Sequence, residues 1–148
     1  MFMKKNRFYF IGLLLSGVAV WLASGVNAEQ KVADCPLTFS LPQAPEWLSQ
    51  PCLYQDIVSY RINPQLTRFT PNYQLWSDGS NKTRWVYLPE GESINTENPD
   101  RWTFPVGVQF FKEFRQFSPD GREIKVETRH LQKVAPGTGP DAWLISAY

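Results

Sequence analysis

The residues best suited by type to do chemistry are charged ones brought into one neighbourhood by the spacing: Lys82, Arg84, Lys112, Glu127 and Arg129, with Asp78 in a turn just upstream. Lys112 recurs every second residue with Val108, Phe110 and Phe114, so strand periodicity puts a lysine on an apolar face. A lysine facing a core needs a carboxylate partner or a path for its ammonium into solvent. Glu127 is the expected partner. The plainer reading of such a cluster is an ion network that fixes strand register, and the sharper one is a ligand or catalytic site, because perturbed charges mark both. On the sharper reading Asp78, Lys112 and Glu127 are the candidate centre of a hydrolase, and the carboxylates Glu123 and Glu127 are of the type a glycosidase uses, although sequence does not fix their separation.

A second set is aromatic. Trp76, Trp85, Tyr87 and Trp102 could form a platform that stacks on sugar rings, or they could be core, which large aromatics usually are. The inventory then removes most other enzyme classes. His130 is the single histidine, so one chain cannot build a multi-histidine copper, zinc or iron centre. No CxxCH is present to attach a c-type haem, and no nucleophile elbow, P-loop or dinucleotide-binding glycine pattern occurs. No cofactor is expected on this chain, and haem only on a partner.

The start of the chain bears on where this chemistry operates. Lys4, Lys5 and Arg7 precede an apolar run over 8–23, and Val26-Asn27-Ala28 supplies small residues after it, the pattern of a secretory signal peptide cleaved after Ala28. The rival reading is a retained membrane anchor, which the length nearly permits. Without 1–28 the chain carries 12 Lys plus Arg against 14 Asp plus Glu, slightly acidic and without a basic patch for nucleic acid. An exported protein in the periplasm or beyond is expected, with membrane contact only through an uncleaved signal sequence. Cys35 and Cys52 both survive cleavage, and an oxidising compartment would pair them.

The elements that must position these groups are strands. In 29–52, Pro36, Pro42, Pro45 and Pro51 break regular structure, leaving an irregular arm that Trp47 and Leu48 anchor and the disulfide fixes. A short strand is expected within 53–62. Asp78-Gly79 makes a tight turn, and the strand after it alternates Thr83, Trp85 and Tyr87 against Lys82, Arg84, Val86 and Leu88 until Pro89 ends it. A short segment at 102–104 follows a polar loop. The strongest strand signal, 108–115, sets Val108, Phe110, Lys112 and Phe114 against Gln109, Phe111, Glu113 and Arg115. Ser118-Pro119-Asp120-Gly121 turns it into a return strand over 122–133, and 142–148 is a last strand. With strands at hairpin spacing and no amphipathic helix after the signal peptide, the expected fold is an all-β antiparallel sandwich over 53–148, jelly-roll-like in one version.

The motifs Tyr73-x-Leu75-Trp76-Ser77-Asp78-Gly79, Lys82-x-Arg84-Trp85-Val86-x-Leu88-Pro89-x-Gly91, Trp102-x-Phe104-Pro105-Val106-Gly107, Lys112-Glu113-Phe114 and Glu127-Thr128-Arg129 come in an ordered series. Together with Leu48-Ser49, Leu53-Tyr54 and Phe69-Thr70-Pro71, the series resembles a domain of exported bacterial proteins of the SO_2930/HNE_0200 type, many of which carry c-type cytochrome domains on the same chain. The resemblance spans about 48–148 and implies a context, a periplasmic c-type cytochrome as partner, without implying an activity. Proteins of that type usually continue past the strand that here stops at Tyr148, so a truncated gene, a fragment and a stand-alone domain all fit. The leading expectation is a non-enzymatic partner-recognition domain that binds no haem itself. A polysaccharide-binding module using the aromatic face is the alternative, and a hydrolase the second alternative.

Overall fold

The computed structural model describes Leu37 and residues 43–148. The expected signal peptide, most of the arm and Cys35 lie outside the described residues. The expectation of an all-β fold holds. Seven strands form two antiparallel sheets: a ribbon of β1 (Tyr54–Asp56) and β2 (Arg61–Ile62), and a five-stranded sheet of β3 (Thr67–Phe69), β4 (Asn81–Tyr87), β5 (Gln109–Phe117), β6 (Glu123–Lys133) and β7 (Trp143–Ala147). Neighbours in the larger sheet are also neighbours in sequence. The only helical element among the described residues is a single 3-10 turn, Pro140–Ala142, and no helix there is long and apolar enough to cross a membrane.

Turn chemistry sets where strands begin and reverse. Asp78 and Gly79 both take positive φ, 45° and 70°, and Ser80 N–H donates to Ser77 C=O at 2.8 Å, a tight turn at the end of the 70–80 connection that leads into β4. At the hairpin between β5 and β6, Gly121 N–H (φ 81°) donates to Ser118 C=O at 2.8 Å, and Ser118 N–H donates to Arg122 C=O at 2.9 Å. Residues 53–62, expected to hold a short strand, hold two, which pair as the ribbon. Asp56 accepts from Val58 N–H at 2.9 Å and from the Ser59 hydroxyl at 2.6 Å, and this local side-chain bonding folds the segment back on itself. β3, unforeseen as a strand, is a short exposed edge that pairs Phe69 with Arg84. At 102–104 there is a single bridge, Asn95 to Thr103.

Register divides the sheet into two faces. One carries the rows Thr83–Glu113–Thr128, Trp85–Phe111–His130–Ser146 and Tyr87–Gln109–Gln132–Leu144. The arm and ribbon cover it: Leu37, Cys52, Leu53 and Tyr54 form one core with Trp85 and Phe111, and Leu48 packs against them. Gln109 Nε2 donates to Leu37 C=O, and the Tyr148 hydroxyl donates to Pro45 C=O at 2.9 Å. Trp47, expected to help anchor the arm, is exposed, while Leu48, also expected, does pack against the core, together with Leu37 and Cys52. Cys52 is disulfide-bonded, while its expected partner Cys35 lies outside the described residues. The other face carries Val86–Phe110–Leu131–Ile145, then Phe69–Arg84–Lys112–Arg129–Ala147, then Lys82–Phe114–Glu127, and it is mostly half-buried to exposed.

Candidate functional site

The alternation read from 108–115 has the right parity, but the deeply buried face is the opposite one. Lys112 lies on the half-exposed face, and the buried charge of β5 is its neighbour Glu113, 2 % exposed. Glu113 accepts from the Tyr54 hydroxyl and from Lys125 Nζ at 2.6 Å, with Arg115 Nε 3.4 Å away. Arg115 also bonds Glu123 at 3.0 Å and the Thr83 hydroxyl. This network ties the ribbon to β4, β5 and β6. Burial, then the bond to Glu113 and its charge, pushes the Tyr54 phenol far above its ordinary range. Glu113 was not singled out from the sequence, because nothing in β5 alone says that the ribbon will close over that side.

The expected network of Asp78, Lys82, Arg84, Lys112, Glu127 and Arg129 is assembled only in part. Arg84, Lys112 and Arg129 are cross-strand partners on three adjacent strands, a row of like charges about 5 Å apart by ordinary sheet spacing. Phe114, in the next row, carries Lys112 Nζ 4.6 Å and Arg129 Cζ 4.8 Å from its ring centroid. Glu127, the expected partner of Lys112, instead accepts from Arg129 Nε and, at 3.3 Å, from Nη2. The bond to Arg129 and its charge hold the Glu127 carboxyl below its usual value, with Lys112 contributing at longer range. Burial, then Arg84, Arg129 and Lys82, pulls the Lys112 ammonium below its usual value, and Glu127 only partly offsets them. Among the described residues neither Arg84 nor Lys112 has a carboxylate within ion-pair distance.

Asp78 is exposed in its turn and no ion pair or hydrogen bond joins it to the row. Glu123 and Glu127 are tied to different arginines. The proposed hydrolase centre therefore has its three members engaged elsewhere or apart. Among the described residues no group of three or more His, Cys, Asp or Glu could hold a metal. His130 is buried, stacked on Phe111 with ring centroids 4.8 Å apart and bonded through Nε2 to Gln109 at 2.8 Å. It is a core residue, and burial lowers its pKa to about 4.

No family model, no curated protein and no solved structure matches the chain. The site must be read from its own geometry.

The aromatic set separates cleanly. Trp85 is 7 % exposed within the core and presents no ring to a ligand, which corrects its place in a binding platform, while Tyr87 is half-buried and packs against that core. Trp76 is 80 % exposed and Trp102 is 52 % exposed, on the loops before β4 and before β5. Beside Trp76, Tyr73 and Leu75 are 92 % and 83 % exposed, and Lys82 Nζ donates to Leu75 C=O, which fixes this apolar loop next to the cationic face. Large apolar side chains held in solvent and rimmed by charge mark association surfaces.

Proposed function

We propose that the protein is a non-enzymatic, exported recognition domain whose partner is a periplasmic c-type cytochrome. The observation that carries this reading is the Tyr73, Leu75 and Trp76 loop, exposed and tethered through Lys82 to a face bearing Arg84, Lys112 and Arg129. Aromatic and arginine side chains are the types enriched where protein interfaces concentrate their energy. The edge of a protein-bound haem is an apolar rim carrying propionate groups, so an apolar loop beside Arg84 and Lys112, neither of them ion-paired among the described residues, complements it in polarity and charge. The sequence resemblance to a domain that shares chains with c-type cytochromes supplies the identity of the partner, and that support is associational. Haem stays on the partner. The two exposed tryptophans, Trp76 and Trp102, are also what a polysaccharide module would need, but with Trp85 in the core and Tyr87 packed against it the four do not form the expected platform.

The test is a pull-down with the tagged protein from envelope extract of its host, read by the Soret absorbance of the eluate. A retained haem protein that Trp76→Ala fails to retain supports the reading. A haem-free eluate from an extract that contains soluble cytochromes contradicts it.

A further inference from the structure

We propose that the pocket between the 100–104 loop and the start of β7 binds a small carboxylate with a flat or apolar body, the carboxylate meeting Lys133. The pocket measures about 280 Å³, with Trp102, Phe104 and Trp143 as its apolar lining and Asp100, Arg101 and Lys133 as its charged lining. That volume is at the small end of ordinary ligand sites, which limits the body to roughly one ring.

Lys133 is the group that needs a partner. It ends β6 and is 3 % exposed, yet among the described residues no carboxylate lies within ion-pair distance and no side-chain hydrogen bond reaches its ammonium. Its one favourable contact is with the Trp143 ring, 5.7 Å from Nζ to the centroid. A cation over an aromatic face gains less than one that also meets a carboxylate, so the Lys133 ammonium keeps donors for an anion in the pocket it lines. Asp100, the carboxylate that lines the same pocket, does not pair with it. An anion entering the pocket would complete the site.

The walls are set in advance. Lys133 is pinned through its backbone, accepting from Gly107 N–H at 2.8 Å and donating to Val108 C=O at 3.0 Å. Phe104 stands edge-on to Trp143 at 5.8 Å and to Phe110 at 5.3 Å, so the apolar wall is braced from behind. Little ordering is left for a ligand to impose, which is the condition under which a small contact area still gives measurable affinity. Arg101, on the same rim, offers a second, planar set of donors to a carboxylate. Residues 73–76 play no part here, so this inference and the cytochrome reading fail separately.

The experiment titrates the purified protein with benzoate and phenylacetate, and with their neutral amides as isosteric controls, by calorimetry at constant ionic strength. Losing a hydrogen bond to a charged group leads us to expect each acid to bind at least about tenfold tighter than its amide, and Lys133→Met to remove that preference. Trp102→Ala, at a half-exposed ring, should weaken acid and amide alike, and it keeps the question open to test if the lysine variant fails to fold. Equal affinity of acid and amide, an acid preference that survives Lys133→Met, or no saturable binding of either acid at millimolar concentrations would each overturn the proposal.

Discussion

Mild acid should destabilise this protein before its carboxylates matter, and one residue should be responsible. His130 is buried against Phe111, and its pKa is lowered from 6.5 to about 4 by burial alone. In the unfolded chain the ring takes up a proton near its ordinary value, while in the folded chain it resists until about pH 4. The unfolded state therefore binds more protons across that interval, and stability must rise with pH there. The contribution is fully present above pH 6.5 and is lost as pH falls towards 4. At about 1.4 kcal/mol per unit the whole interval is worth about 3 kcal/mol, a sizeable share of the 5 to 15 kcal/mol of an ordinary domain, taking ~10 kcal/mol as typical. Asp56, Asp120 and Glu127 are all held below their ordinary values by hydrogen bonds, so their losses begin only as pH drops below 3.8 to 4.5. Urea unfolding of the wild type and of His130→Gln between pH 7 and pH 4.5 separates the two windows. The wild type should lose about 2.5 kcal/mol and the variant almost none, whatever its absolute stability. Equal pH slopes in the two proteins would refute the argument, since a glutamine does not titrate.

Three further outcomes follow from the same structure. Glu113→Ala should destabilise by about 3 kcal/mol in urea titrations, because it takes from the Tyr54 hydroxyl its acceptor and from Lys125 its carboxylate partner, leaving Arg115 only Glu123 and Thr83; since the phenol is held far above its ordinary value, the wild type should keep its Tyr54 contribution below pH 10 and lose it only as pH climbs beyond that. Reduction, or Cys52→Ser, should cost roughly 3 kcal/mol, seen as a lower melting temperature that the serine variant no longer shows on adding reductant. Lys112→Met should leave stability unchanged or raise it by up to ~1 kcal/mol, because it removes the middle charge of a row of three cations; a clear loss in thermal melting would mean that an unseen partner holds that lysine.

The strands were legible where periodicity and turn chemistry agree. Thr83, Trp85 and Tyr87 alternate against Lys82 and Arg84 as expected, and the Asp78-Gly79 and Pro119-Asp120-Gly121 turns fall where glycine takes positive φ. What alternation cannot give is which side of β5 is covered, because Phe110 and Phe114 on one side and Phe111 on the other make both faces apolar. The side is decided by chain far away in sequence: Leu37, Leu53 and Tyr54 close over Gln109, Glu113 and His130, so a polar row becomes interior and a lysine remains near solvent. The same distance effect hid the importance of Glu113, whose partners Tyr54 and Lys125 come from the ribbon and the return strand. Trp85 and Trp76 differ in exposure for a local reason as well. The first sits on the covered face of a strand, and the second precedes the turn that starts it.

Recognition through the 73–76 loop is tested most directly by titrating the cytochrome recovered from the envelope with the wild type and with Trp76→Ala, at low and high salt. The alanine variant should bind on the order of 30-fold more weakly, as removal of a central aromatic anchor does, and wild-type affinity should fall as salt screens Lys82, Arg84, Lys112 and Arg129. Equal affinity of the two proteins, with no dependence on salt, would place the contact elsewhere on the molecule and contradict recognition through that loop.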